Sequence, residues 1–227
     1  MSNKKAIVTG ASRGIGRGIA RKLASLGYDL AISYNSKEAE AKAVKEELES
    51  KYGIKCYYYQ ASLDKRGVGE ALFEKAVADL GGLDLLVNNA GQCIVNSIVD
   101  MPDEDIDYLI DLDFRNYIMM IRCAARYMRA NNIQGSIVNI TSSRGERAYP
   151  GDAVYGGRIS KSVAGMEKDE QKGMSPQFAG RYIAKIALKG HVKPVYTVGF
   201  GYKCLSVLCK LLPCGFRNWI VGLLYAR

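Results

Sequence analysis

The 227-residue chain has a single histidine, His191. That scarcity excludes a histidine-based metal site and a Ser-His-Asp triad, both of which need a placed imidazole. Its six cysteines are Cys56, Cys93, Cys123, Cys204, Cys209 and Cys214, and no two form a CxxC pair. Reduced core thiols are expected, with no metal site. No uninterrupted apolar run reaches the ~20 residues that a bilayer span requires. The first apolar run, before Gly10, is four residues long, too short for a secretory leader, so a cytoplasmic location is expected. No basic run interleaves with aromatics, which argues against nucleic acid as a partner. Internal repeats and low-complexity segments are also missing.

What is present is an ordinary globular composition, 48% hydrophobic and 24% charged, with 32 Lys+Arg against 23 Asp+Glu. The formal charge of +9 describes either a solvated basic surface or an anionic partner: a phosphorylated cofactor, an acidic carrier protein or a membrane surface. Short apolar runs at 5–10, 28–34, 54–61, 83–89 and 135–141 read as strands. Helical periodicity separates them at 14–27, 36–53, 67–82 and 103–132, the last as a long, kinked region. Ser36 is the candidate N-cap of the second helix. Strict alternation of strand and helix predicts an α/β, doubly wound parallel sheet with order 3-2-1-4-5. Beyond residue 150 the rhythm changes. A helix is expected over 175–190, capped by Ser175 with Pro176 at its first position, then a sixth strand over 193–200. Residues 1–200 thus read as a single dinucleotide-binding domain. Residues 201–227 form a shortened fold's apolar helical tail, which either packs on the body or makes peripheral contact with a membrane surface.

The stretch TGASRGIG at 9–16 lies between the first strand and the first helix. Glycine there permits a tight turn and lets backbone N–H groups approach a pyrophosphate at the helix N-terminus. This loop, NNAG at 88–91, and the pair Ser142 and Tyr155 resemble the short-chain dehydrogenase/reductase family, over about residues 4–157. Residues 136–157 look like the 3-oxoacyl-carrier-protein reductase branch. The far end looks more like the 17β-hydroxysteroid-type reductases. The resemblance implies hydride transfer between a nicotinamide and a carbonyl/alcohol pair, a small ketone or alcohol substrate that is free or carrier-linked, and a homo-oligomer. It also implies cofactor binding by Gly10, Ser12, Arg13, Gly14, Ile15, Gly16, Asn35, Asn89, Ala90 and Gly91. Tyr155 would give the proton and Ser142 would polarise the carbonyl. NAD enzymes place an acid at the end of the second strand. Here Asn35, Ser36 and Lys37 precede the first acid, Glu38, and Arg13 sits in the loop, which favours the 2′-phosphate of NADP. Arg126 and Arg129, three apart on the long helix, are candidates for an acidic carrier or for plain solvated cations.

The chain departs from the family at four places. The family lysine four residues after the tyrosine is absent: Ile159 stands there, and Lys161 is six residues on. Positions i and i+4 of a helix share a face, whereas i+6 lies ~240° round. Either Arg158, at i+3, replaces the charge, or the glycines at 156 and 157 loop out and restore Lys161. The family asparagine of the long helix aligns with Asp113, and the aspartate after the third strand aligns with Ser62. The Pro-Gly segment that follows the tyrosine in the family is missing, as though several tens of residues had been lost.

Overall fold

Side chains alternate across a strand, so each short apolar run offers two faces that must both be covered. A computed structural model describes residues 3–142 and 176–187 and shows how this is done. Five strands, β1 (Lys5–Val8), β2 (Asp29–Tyr34), β3 (Cys56–Gln60), β4 (Leu85–Asn88) and β5 (Ser136–Asn139), form one sheet of order β3-β2-β1-β4-β5. Every pairing is parallel, with Ala6 opposite Leu30 and Leu85, and Val87 opposite Val138. The expected strand order and the doubly wound α/β architecture are both found. The expected sixth strand and the tail at 201–227 lie outside the described residues, as does Ser175.

One face of the sheet carries Ala6, Val8, Leu30, Ile32, Leu85 and Val87. These pack against α1 (Gly14–Ala24), α2 (Glu38–Tyr52) and the last described helix, α6 (Pro176–Ala187). The other face carries Ile7, Ala31 and Leu86. These pack under α3 (Val68–Leu80) and α5 (Asn116–Ala130). Helix α6 places Ile183 and the fully buried Ala184 in the first cluster, beside Leu23 of α1. It lies against α1 and reaches β5.

The sequence-based boundaries change in two places. Helix α2 starts at Glu38, not Ser36; the residue before it is Lys37, and no side chain caps the helix. The reason lies in Asn35, whose backbone oxygen accepts from Gln60 Nε2 (3.0 Å) and whose Oδ1 accepts from Ser62 Oγ (3.0 Å). These bonds turn the segment toward the end of β3 before the helix begins. Glu38 and Glu40 then face the positive end of the helix dipole. The long helical region is three pieces: α4 (Asp103–Ile110), a π-helical turn (Asp111–Arg115) and α5. The expected kink is this widened turn, which carries Asp113. No helix among the described residues is long and apolar enough to cross a membrane.

Leu23 is fully buried between the sheet and its neighbouring helices. Leu23→Ala is expected to lower the unfolding free energy by ~2–5 kcal/mol, read as a shift of the urea midpoint. An unchanged midpoint would show that α1 is not clamped between α6 and the sheet.

Candidate functional site

The C-terminal ends of β1, β2 and β4 open onto one cleft of about 220 Å³. The end of a doubly wound sheet is where such folds bind ligands, at the point where strand order reverses. That point here lies between β1 and β4.

Thr9, fully buried at the end of β1, ties the two strands together. Its Oγ1 accepts from the backbone N–H groups of Asn89 (2.9 Å) and Ala90 (3.0 Å). In return Asn89 Nδ2 donates to the carbonyl oxygens of Thr9 (2.9 Å) and Gly10 (3.1 Å). The glycine loop and the 88–91 segment are therefore one unit. Gly10 has a φ of 64°, and a Cβ on it would sit 2.9 Å from Ala90 Cα. A Cβ on Gly16 would meet Gly10 O and lie 2.5 Å from Asn89 Nδ2. Both glycines are required by close approach of backbone to backbone. Gly14, at φ 57°, is required by its left-handed conformation alone, and its missing side chain faces open space.

Helix α1 starts at Gly14 with no side-chain cap from Arg13 and no acid in its first turn. Its leading N–H groups are thus uncompensated and carry the positive end of the dipole. Gly10, Ser12, Arg13, Asn35, Asn89, Ala90 and Gly91, all expected from the sequence, line the cleft. Ile15 and Gly16 belong to the first turn of α1 behind it. Ser142 follows β5 and is half-buried. The segment before it is held by α5, where Tyr117 Oη donates to Ile140 O (3.2 Å). Tyr155, Arg158 and Lys161 lie outside the described residues.

Several lining residues were not singled out from the sequence. Lys37 stands beside Asn35 at the β2 end, and Tyr34 forms part of the same wall. Tyr34 stacks on Tyr58 with ring centroids 6.0 Å apart. Gln92 and Tyr108 close the β4 end, with Tyr108 Oη donating to Gln92 Oε1 (3.0 Å). A reading of residues after NNAG as wall rather than loop would have found Gln92. Nothing in the sequence marks Tyr108. Asp113 accepts from Gln92 N–H at 3.1 Å, and burial pushes its carboxyl up to about 6 despite that bond. Cys56 is buried, and burial raises its thiol to about 12, so it acts as a core residue and not as a nucleophile.

With this geometry in place, comparison with known proteins is informative. The family described as short chain dehydrogenase matches residues 4–166. The 3-oxoacyl-acyl-carrier-protein reductase FabG of Staphylococcus epidermidis is 37% identical over 153 residues, 67% of this chain and 62% of the relative. The hydroxynaphthalene reductase-like protein Arp2 of Metarhizium brunneum is 34% identical over 158 residues, 69% of this chain and 58% of the relative. Among solved structures, acetoin dehydrogenase YohF from Salmonella typhimurium superposes with a TM-score of 0.65 at 30% identity, covering 68% of this chain and 64% of its own. A short-chain dehydrogenase from Burkholderia cenocepacia, crystallised with NADP, superposes at 0.63 and 33% identity, covering 68% and 62%. The fold is of the Rossmann type. The chain belongs to the short-chain dehydrogenase family, and it spans less than two thirds of the length of the curated relatives it matches.

Thr9→Val keeps the shape but leaves two amides without their acceptor. At ~1–3 kcal/mol per unsatisfied buried group, a loss of about 2–6 kcal/mol in unfolding free energy is expected. Thermal and urea unfolding would both register it, and a loss below about 1 kcal/mol would mean that the two amides find other partners.

Proposed function

We propose that this chain binds NADPH along the cleft and reduces a lipophilic ketone or 3-oxoacyl thioester, with slowed turnover. The observation that carries the reading is the charge pattern around the Thr9–Asn89 unit. The uncapped start of α1 faces the place for a pyrophosphate, and Arg13 and Lys37 line the end where the ribose phosphate would lie. No carboxylate precedes Glu38 at the end of β2 to compete for a ribose hydroxyl. The open space at Gly14 fits the same group, because a backbone without Cβ admits a phosphate to its N–H groups. The B. cenocepacia relative in complex with NADP supports the cofactor by similarity.

NADPH, when bound, supplies the hydride. Ser142 donates a hydrogen bond to the substrate carbonyl oxygen, and the Tyr155 hydroxyl supplies the proton to that oxygen. A positive charge beside the tyrosine would lower its pKa and ready it for this transfer. If residues 155–161 are helical, Lys161 is on the wrong face and Arg158 brings a broader, planar cation in place of a compact ammonium. Slow turnover follows from that spacing. The same spacing favours a second reading, a nucleotide-binding scaffold without turnover. Self-association is supported by Ile110, Phe114 and Ile118, spaced four apart and all exposed on the α4–α5 region. Arg126 and Arg129 are exposed on α5, as an acidic carrier would need.

The decisive assay is NADPH oxidation by the purified protein with a panel of ketones and 3-oxoacyl thioesters. Slow oxidation that Tyr155→Phe abolishes, with NADPH affinity retained, supports the reductase. Tight binding with no oxidation of any substrate selects the scaffold. Fluorescence titration should give a lower Kd for NADPH than for NADH, and Arg13→Ala should erase roughly tenfold of that preference, the order of one charge-assisted hydrogen bond. Equal constants for the two nucleotides in the unaltered protein would reject the cofactor assignment.

A further inference from the structure

We propose that Asp113 is a proton-holding residue behind the wall of the cleft, and that the charge it gains on deprotonation weakens the binding of a polyanionic ligand there. The second half rests on the nucleotide-binding reading above; the first half does not.

Gly91 and Gln92 form the wall of the cleft at the β4 end. Asp113 lies directly against them. Its Oδ1 accepts the Gln92 N–H, and a Cβ on Gly91 would stand 2.8 Å from that same oxygen. Its Oδ2 is buried and has no hydrogen-bond partner among the described residues. A carboxylate with one amide donor and one bare, buried oxygen is poorly solvated; the neutral acid is not. Burial accordingly pushes this carboxyl up to about 6 and outweighs the Gln92 amide, which pulls the other way.

The surrounding charges do not relieve it. Tyr108, from α4, gives its hydroxyl to Gln92 Oε1, and its own pKa is raised by burial and then by Asp64 and Asp113. Asp64, after β3, is paired with Lys65 at 3.0 Å. Within the π-helical turn, Asp111 is contacted by Arg66 (3.6 Å) and Arg115 (3.8 Å). Among the described residues, the cations of this neighbourhood are thus engaged at other carboxylates. An asparagine at this position would carry no charge at any pH and would present a fixed N–H donor. The aspartate presents a donor only when protonated.

The sign of the effect follows. Below pH ~6 Asp113 is neutral and the cleft meets an anion with Arg13, Lys37, the helix dipole and the Lys65-paired Asp64. Above it, one negative charge sits behind the wall. At about 10–15 Å, with an effective dielectric constant of about 20, one charge changes affinity by roughly six- to seventeenfold per ligand charge before screening, and screening over a Debye length of ~10 Å leaves a several-fold change. Ligand binding in turn raises the Asp113 pKa, so the ligand is bound together with a fraction of a proton.

The test uses the full chain and NADPH. The ligand's 2′-phosphate titrates in the same window, so the informative quantity is the ratio of the Kd of the unaltered protein to that of Asp113→Asn at each pH. That ratio should rise about three- to tenfold between pH 5.5 and 8. A ratio independent of pH overturns the coupling. The proton site is read without ligand, from the Gln92 backbone amide resonance of the unaltered protein. It should titrate with a midpoint near 6, and Asp113→Asn should abolish that titration. An amide that does not titrate between pH 5 and 8 overturns the proposal outright, whether or not the variant folds. If the unaltered protein and the variant both fail to bind NADPH at every pH, the functional reading and the coupling fall together, and the Gln92 titration still decides whether Asp113 holds a proton.

Discussion

Everything at the ligand end of this molecule depends on how closely β1 and β4 approach at Thr9. The two strands are parallel neighbours only through Val8 and Val87. Beyond that point the ladder ends and backbone groups of both chains need new partners. Thr9 Oγ1 takes two amides from the β4 side, and Asn89 Nδ2 serves two carbonyls on the β1 side. A side chain thereby continues the work of the sheet for one more step, in a place that is fully buried at Thr9. The glycine requirement is a consequence. With the segments held this close, a Cβ at Gly10 would collide with Ala90 and one at Gly16 with the Asn89 amide. The loop cannot relax outward without breaking four hydrogen bonds, so α1 starts at a fixed point beside the cleft. Preorganisation of this kind means that an anion meets donors already in place, with little ordering left to offset.

The architecture was legible in the sequence because it is written twice. Each strand is a short apolar run, and each is followed by helical periodicity long enough for one crossover. Handedness then leaves few arrangements. The phosphate loop was legible for a related reason: its glycines are spaced by backbone geometry, and backbone geometry does not depend on the rest of the chain. Side chains that reach the cleft by tertiary accident were not legible. Lys37 looks like a surface residue at a helix start, and Ser36 like a conventional cap. What moves both is the pair of bonds that Asn35 makes across to Gln60 and Ser62, and no local pattern announces a partner some 25 residues away. Tyr108 is invisible for the same reason. Its role exists only because Gln92 folds back over α4.

The π-helical turn shows the boundary between the two kinds of information. The sequence indicated a bend in the long helical region without saying where its extra residue goes. Asp111–Arg115 widens there, and such bulges commonly mark functional positions. The widening puts Asp113 against the Gly91–Gln92 wall while Asn116, one turn on, is buried against α3, where a Cβ on Gly69 would strike its Oδ1. Asp113 and not Asn116 is therefore the residue of this helix that meets the cleft wall, which agrees with the register read from the family resemblance. Asn116 belongs to the packing of α5 on α3.

Binding and chemistry are separable in this chain to an unusual degree. The residues proposed to hold the nucleotide lie on β1, β2, β4 and the start of α1, and their positions are fixed by the sheet and by the Thr9–Asn89 bonds. Those proposed to move the proton are Ser142, just past β5, and Tyr155 beyond it. β5 is the last strand of the described sheet, so the segment before Ser142 is held by Tyr117, whose hydroxyl bonds Ile140, and by Asn88, whose carbonyl accepts the Ile140 N–H. A change after residue 142 can thus alter catalysis and leave the nucleotide cleft intact. That is the condition under which a chain could keep Rossmann-type binding while the spacing of tyrosine and lysine drifted. The reverse does not hold: loosening Thr9 would shift β4, the Gly91–Gln92 wall and Asp113 together, because Asp113 grips the same backbone from the other side. The Asp113 carboxyl and the glycine loop are accordingly two ends of one hydrogen-bonded assembly, the arrangement that the proposed coupling between a proton and an anion would use.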